Sequence, residues 1–374
     1  MSRDSFDCVV VGSGIVGAAC AVKMAGAGMT VALVDSLGAG LGATAAGMGH
    51  VVVMDDSEEQ LQLTKYSQSL WQMLACVLPP AAEHQQRGTL WVAADQEEMD
   101  EVVRRHGLYR DHGVLAEIVN GDELHALEPY LIESLTGALF MPSDSVVYAP
   151  AVTRFLVQDA LAHGAEFIEG RVVHIAEGTV LLDDGRELKS RRIVNAAGER
   201  SAELTDGIPV KKRMGHLAIT DRYPGMVNHQ IVELGYLKSA HSIQEDSVAF
   251  NLQPRVTGQV LIGSSRQFDA ANTVDYSILS RMLSRAAEYM PSLVDCSVVR
   301  VWTGYRAATP DKLPLIGPWP EDNTIFLATG HEGLGITTSL ATAELLFACM
   351  EGSKPPIPLE PYLPARFSRM PAYV

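Results

Sequence analysis

Cys8-Val9-Val10-Val11-Gly12-Ser13-Gly14-Ile15-Val16-Gly17 is the stretch that decides the fold. Residues 8–11 read as a short apolar strand, and the small-residue run 15–27 reads as the helix that follows. Gly12 permits a tight turn, Gly14 lets the backbone approach a pyrophosphate, and Gly17 lets helix and strand pack closely. The helix N-terminus offers N–H groups and the positive end of its dipole to phosphates. Residues 30–34 form a second strand closed by Asp35. An acid there accepts a hydrogen bond from an adenosine ribose 2′-hydroxyl and repels a 2′-phosphate. The stretch therefore specifies a dinucleotide-binding strand–helix–strand unit and argues against NADP.

Outward from this unit, strand-like and helix-like segments keep alternating, which indicates an α/β protein. Helical patterns cover 61–78, 95–112 and 151–163. Strand patterns cover 90–93, 166–169, 171–176 and 180–183, with Glu177-Gly178 as a hairpin turn, and Asp184-Gly185 turns into 187–188. A separate short strand, 193–196, runs into Gly198. From 210 to 301 the pattern changes to β-branched alternation (217–220, 248–252, 260–263) and then a helix near 278–289. A strand at 325–329 and a small-residue helix at 335–350 follow, and a proline-rich tail from Lys354 is expected to run extended over the surface. The pattern predicts a Rossmann-like dinucleotide domain built from 1–80, 145–209 and 302–374. An α+β substrate-binding domain on an antiparallel sheet, from 81–144 and 210–301, is inserted into it.

The 374 residues are 47% hydrophobic, ample for a large core, and carry a formal net charge of -16. That balance argues against a nucleic-acid partner and against a polybasic membrane anchor. Three glycines and Lys23 break the apolar stretch 8–22 as a transmembrane segment, and Asp4 and Asp7 outweigh Arg3 in what would be a signal leader. A soluble, cytoplasmic protein is the expectation. Five scattered cysteines without a Cys-x-x-Cys pair supply no metal ligand set and are expected to be reduced and buried.

Further motifs narrow the dinucleotide. Directly after the ribose acid comes a run containing Gly38, Gly40, Gly42, Gly47 and Gly49. A nicotinamide dehydrogenase would continue with an ordinary helix, whereas so many glycines imply close backbone approach to a ligand, as a flavin's pyrophosphate and ribityl chain require. Asn195-Ala196-Ala197-Gly198 closes a strand on small residues. In Trp302-Thr303-Gly304-Tyr305-Arg306-Ala307-Ala308-Thr309-Pro310-Asp311, Arg306 sits between aromatics and a turn, and arginine suits bidentate carboxylate binding. Gly330-His331-Glu332-Gly333-Leu334-Gly335-Ile336 leads into a helix whose N-terminus suits the negative charge of a reduced flavin. His50 and His331 are candidates to line the pocket and tune substrate protonation, since histidine titrates near neutral pH. Tyr236, His216 and His241 are candidates in the substrate domain.

In this order, over about 6–366, these motifs resemble the D-amino-acid oxidase superfamily of FAD enzymes. The stretch 44–50 and the tail 361–367 are most similar to catalytic subunits of heteromeric dehydrogenases acting on D-hydroxyproline or related imino and amino acids. The resemblance implies a glutathione-reductase-like FAD domain. Gly12, Ser13, Gly14, Ile15, Val16, Gly17, Asp35 and Ser36 would hold the ADP half. Thr44, Ala45, Gly47 and Met48 would line the pyrophosphate and flavin, Val172 the adenine edge, and Ala196, Ala197 and Gly198 the cofactor's flank. Gly330, Gly333, Leu334, Gly335 and Ile336 would approach the isoalloxazine. Arg306 would grip the substrate carboxylate, with Tyr305, Tyr236 and His50 around it. FAD is expected to be non-covalent, because Ala307 and Ala308 stand where monomeric sarcosine oxidases carry the linking cysteine. The implied reaction oxidises the C–N bond of a small amino or imino acid (D-hydroxyproline, D-proline or another D-amino acid). Hydride passes from the α-carbon to flavin N5, an imine forms, and electrons go to an acceptor other than oxygen, with partner subunits suggested. An oxygen-using glycine, sarcosine or D-amino-acid oxidase keeps every motif. A non-catalytic FAD-binding subunit leaves Arg306 unexplained.

Overall fold

Two eight-stranded sheets carry the chain, and residues from both line the cavity where nearly every motif above lies. The computed structural model describes residues 5–235, 246–268, 270–271 and 273–367, so Tyr236 and His241 lie outside the described residues. In chain order the strands begin with β1 (Ser5–Val11), β2 (Val31–Asp35), β3 (His50–Val51), β4 (Thr89–Ala93), β5 (Glu117–Asn120) and β6 (Gly137–Met141). Next come β7 (Ser145–Val146), β8 (Glu166–Glu169), β9 (Val172–Ala176), β10 (Thr179–Leu182), β11 (Glu187–Asn195) and β12 (Lys211–Arg222). The series ends with β13 (Gln230–Glu233), β14 (Ser247–Pro254), β15 (Gln259–Phe268), β16 (Val298–Ala308), β17 (Leu315–Trp319) and β18 (Asp322–Thr329). The helices are α1 (Ile15–Gly26), α2 (Ala43–Ala46), α3 (Glu58–Ala75), α4 (Gln96–Asp111), α5 (Gly121–Leu127), α6 (Ala149–Ala162), α7 (Ser201–Leu204), α8 (Tyr276–Tyr289) and α9 (Gly335–Glu351).

The first sheet runs β17-β18-β11-β1-β2-β8, with the β9–β10 hairpin joined to β11. Its central pairs are parallel, the Rossmann-like pattern. Val9 and Val10 are fully buried, as parallel strands covered on both faces require. Alanines and Gly17 make α1 thin enough to nest against α6 and α9. Residues 187–195 form one continuous strand, not two: Glu187–Lys189 pair with β10 while Lys189–Asn195 run beside β1, so exposed charges interrupt the apolar signal without breaking the ladder.

The second sheet runs β16-β12-β15-β14-β13-β4-β6-β5. It is antiparallel except that β13 runs parallel to β4, because the polypeptide leaves and re-enters this sheet. The helix α8 presents Ile278, Leu279, Met282, Ala286 and Tyr289 at helical spacing onto β14 and β15, and Asp275 caps it. Because β16 pairs with β12, the domain boundary expected at 302 falls inside a strand, and the second sheet keeps the chain to Ala308. The tail is not a simple extended cover: Glu360–Tyr362 and Pro364–Phe367 are 3₁₀ turns, and the buried Tyr362 donates to Glu59 O at 2.6 Å. Among the cysteines, Cys8 and Cys20 are buried, but Cys76 is exposed, after the end of α3. No described helix is long and apolar enough to cross a membrane.

Asp144, 1% exposed, ties the two halves together by accepting from Val53 N at 3.3 Å and from Gln68 Nε2 on α3 at 2.9 Å. Burial pushes its carboxyl up to about 7, against the pull of those hydrogen bonds. In the unfolded chain it ionises near pH 4, so between about pH 4 and 7 only the unfolded state sheds the proton and stability falls with rising pH. Asp144→Asn keeps the acceptor oxygen and removes the ionisation. Its Tm is expected to exceed the parent's at about pH 8, with the difference shrinking at about pH 5. Thermal unfolding at the two pH values checks this, and a Tm deficit that grows with pH would contradict it.

Candidate active site

The glycine turn between β1 and α1 is built by contact. Gly12 has φ +102°, and a Cβ there would lie 2.5 Å from Ala196 O. A Cβ on Gly17 would overlap the Gly12 carbonyl. Gly14 differs: a Cβ would meet only Thr44 Oγ1, at 3.4 Å, so the protein itself leaves room. Gly14 also lines the cavity, where an added methyl would occupy ligand space. Asp35 accepts from Ser13 N at 2.7 Å and Leu37 N at 2.8 Å, which fixes its carboxylate at the tip of β2.

The following loop folds back onto this turn. Gly40 N donates to Ser13 O at 2.9 Å, and Thr44 Oγ1 accepts from Ile15 N at 3.1 Å. Part of the glycine run answers to the protein and not to a ligand. A Cβ on Gly40 would crowd Thr153 at 3.0 Å, and one on Gly49 would overlap the Val147 carbonyl. Gly42, with open space around it, and Gly47 line the cavity. Further on, Asn195 donates to Ser201 O at 3.0 Å and Thr205 Oγ1 at 2.9 Å and accepts from Ala197 N, which holds the small-residue turn Ala196-Ala197-Gly198 open beside Gly12.

These elements enclose one cavity of about 380 Å³. Two long helices, α1 and α9, point their N-termini into it with no side-chain cap and no acid in the first turn. Such ends attract phosphate and developing negative charge. The open backbone approach at Gly14, Asp35 at one end and the two uncapped helix N-termini fit the groups of an FAD. Val172, Ser36, Thr44, Met48, Ala196, Ala197, Gly198, Gly330, Gly333, Leu334, Gly335 and Ile336 all line the wall. Three expected cofactor residues stand elsewhere. Ser13 contributes its N–H to Asp35 but does not line the wall, Gly17 serves helix–strand packing, and Ala45 faces a smaller cavity of about 130 Å³ behind the loop.

The opposite wall is one face of the second sheet. Alternation puts Arg213, Gly215 and Leu217 of β12, Gly304 and Arg306 of β16, and Ser264 and Arg266 of β15 on this face. Arg306 stretches across its neighbour strand: a Cβ on Gly215 would collide with its guanidinium, which donates to Ser265 O on β15 at 3.1 Å. Among the described residues Arg306 has no acidic partner. Arg213, its directly opposed neighbour, pairs with Glu332 at 3.0 Å. Gly304 has no side chain because Ala46 of α2 presses against it.

The expected titration of the histidines needs correction. His50 lines the cavity, its Nδ1 2.8 Å from Gln230 Nε2, and burial pushes its pKa down to about 3. His331 is 7% exposed, bonds Thr342 Oγ1 of α9 at 2.9 Å, and is likewise pushed to about 3. Desolvation makes both neutral at neutral pH, so neither titrates there as expected. Tyr305 lines the cavity and donates its hydroxyl to Ala270 O at 2.8 Å. His216 is a buried structural residue between Ser265 Oγ and the Asp275 N–H. The sequence motifs missed Arg213, Arg266, Glu332, Trp91, Gln230 and Asn251, all on the wall. The period-two series Arg213-x-Gly215-x-Leu217 and Gly304-x-Arg306 was the available signal.

A family model described as FAD dependent oxidoreductase matches residues 7–348. Hydrogen cyanide synthase subunit HcnC of Pseudomonas aeruginosa is 27% identical, covering 99% of this chain and 98% of that protein. Glycine oxidase of Geobacillus kaustophilus is 26% identical over 96% of both proteins. Its crystal structure superposes with a TM-score of 0.87 across 97% of this chain and 99% of that one. L-proline dehydrogenase from P. horikoshii superposes with a TM-score of 0.88 at 24% identity, across 98% and 99% of the two chains.

Gly14→Ala and Gly17→Val separate ligand space from packing. The first is expected to keep the apoprotein Tm while weakening FAD binding by about tenfold or more, because only the ligand needs that space. The second is expected to lower the Tm itself, because its side chain meets the Gly12 carbonyl. Thermal unfolding of the apoproteins and FAD titration by flavin fluorescence check both.

Proposed function

The chain belongs to the FAD dependent oxidoreductase family, and we propose that it oxidises the C–N bond of a small amino or imino acid. D-hydroxyproline, D-proline or another D-amino acid is the substrate class in this proposal, and the electron acceptor is not oxygen. The observation that carries it is Arg306: a cavity-facing guanidinium with no acidic partner among the described residues. A guanidinium of this kind favours a ligand carboxylate, which it grips in a planar, two-bond geometry.

The flavin, when bound, supplies the two-electron acceptor. Gly12, Gly14 and Asp35 would hold its ADP half, with Val172 beside the adenine, and Gly17 would serve it by letting α1 pack at the turn. The loop with Thr44, Gly47 and Met48 and the turn 330–336 would flank its ring. Arg306 binds the substrate carboxylate and so fixes which face of the α-carbon is presented. The Ser265 carbonyl and the gap at Gly215 hold the guanidinium in place for this. The Arg213–Glu332 pair braces the turn before α9, since Glu332 N also donates to Ala307 O at 2.9 Å. His50 and His331, both neutral, shape the site without moving a proton. In this proposal the substrate binds with its amine neutral.

The relative named as a subunit of hydrogen cyanide synthase supports a chain that works beside partner subunits. A cytoplasmic location belongs to the same proposal. The relatives named glycine oxidase favour a second reading, direct use of oxygen. Peroxide yield against dye reduction in one assay separates the two.

Arg306→Ala is expected to lower kcat/KM for amino-acid substrates by about 100-fold or more, mostly through KM, while FAD stays bound. Unchanged turnover would remove the carboxylate assignment. The kcat/KM profile is expected to rise toward alkaline pH with the substrate amine alone. It should show no step near the ordinary histidine value of about 6.5.

A further inference from the structure

We infer that this chain selects substrates carrying an uncharged hydrogen-bonding group, a hydroxyl or a carboxamide, on the side away from the carboxylate, and that His50, Trp91, Gln230 and Asn251 form the subsite that reads it. The inference rests on the amino-acid substrate proposed above and adds the identity of its distal group.

Among the uncharged side chains of the cavity wall, four buried polar atoms have no hydrogen-bond partner among the described residues: His50 Nε2, Trp91 Nε1, Gln230 Oε1 and Asn251 Oδ1. Gln230, Trp91 and Asn251 are 2%, 6% and 9% exposed, so bulk water does not serve them freely. Buried polar groups in folded proteins almost always have partners, and a set without them in a cavity marks where a ligand bonds. Their chemistry is specific. Gln230 Nε2 is a donor only, so His50 Nδ1 accepts and the proton of the neutral ring sits on Nε2. The wall then offers two N–H donors, from His50 and Trp91, and two carbonyl acceptors, from Gln230 and Asn251. None of the four carries a charge. A charged substrate group would lose hydration there without a counter-ion, and a hydrocarbon would leave all four atoms unpaired. A hydroxyl or carboxamide both donates and accepts.

The spacing fits one small molecule. Trp91, Val232 and Asn251 stand directly opposite one another on β4, β13 and β14, and Gln230, two residues from Val232, shares their face. Because Arg306 reaches across β12, its guanidinium lies over β15, the strand next to β14. Neighbouring strands are about 4.8 Å apart with about 3.4 Å per residue, and Asn251 stands opposite Gly263, two residues along β15 from Ser265, so Asn251 lies roughly 8 Å from the Arg306 anchor, with Gln230 and Trp91 beyond it. That is the reach of an amino acid with its polar group on the β or γ carbon, or on a five-membered ring.

The test uses the FAD-loaded enzyme and matched pairs in both stereochemical forms: hydroxyproline against proline, serine against alanine, and asparagine against 2-aminobutyrate. For the reactive stereochemical form, kcat/KM is expected to favour the polar member by about 100-fold, because a site built to bond a hydroxyl rejects the analogue lacking it. Asn251→Leu and Trp91→Phe should each pull this ratio toward one with FAD affinity unchanged. Two variants at separate strands guard against one failing to fold. Equal or reversed preference in the parent enzyme overturns the subsite while leaving the amino-acid proposal standing. So does a ratio unmoved in variants that retain FAD, or a loss of FAD affinity with the ratio intact, which would assign these atoms to the cofactor. Flavin reduction by no member of the panel overturns both.

Discussion

The carbonyl of Gly12 lies so near Gly17 that no side chain fits between them, and the rest of the site is assembled from that contact. It sets α1 directly at the tip of β1. Asp35 and Thr44 then bond to backbone N–H groups of the same turn, which draws the end of β2 and the loop after it onto the helix N-terminus. The loop in turn brings Ala46 against Gly304, and only a glycine lets β16 come that close. Arg306 stands two residues further on. A continuous series of tight backbone contacts thus links the nucleotide end of the cavity to the guanidinium at the other.

Charge is distributed against the protein's overall balance. The chain carries -16, yet Arg213, Arg266, Arg306 and Lys312 line the cavity, together with two helix N-termini. Glu332 and Asp56 pair with Arg213 and Lys312 at 3.0 and 3.6 Å. Asp35 and Glu199 line the cavity too, so what favours an anionic cofactor and an anionic substrate is local: the two helix N-termini and the Arg306 guanidinium. The remainder of the second-sheet wall, around Asn251 and Gln230, is polar but uncharged, which divides the pocket into a region for charge and a region for hydrogen bonds.

The dinucleotide unit was readable because close approach leaves glycines at fixed intervals and because β1 ends in the apolar run Cys8–Val11. The helices 58–75, 96–111 and 276–289 were readable from periodicity, and the caps Ser57, Asp95 and Asp275 that fix their starts were not singled out. β16 was not. Val298-Val299-Arg300-Val301 reads as one run, and the glycine and arginine that follow disguise the alternation, since their places are set by Ala46 and by the reach over Gly215. The histidines misled for a related reason. Residue type sets an ordinary pKa near neutrality, but burial, a property of the assembled cavity, lowers both to about 3. Trp91, Gln230 and Asn251 sit in three separate stretches of sequence, and only strand register brings them to one wall.

The most direct test of the central claim is anaerobic mixing of the FAD-loaded protein with a panel of small D- and L-amino and imino acids, each beside the amine that lacks its carboxylate. Loss of the oxidised flavin absorbance with at least one carboxylate-bearing member, and not with its decarboxylated partner, is the result expected from hydride loss at a carbon held by Arg306. Bleaching by the amine and the acid at equal rates, or by no member of the panel, would contradict it.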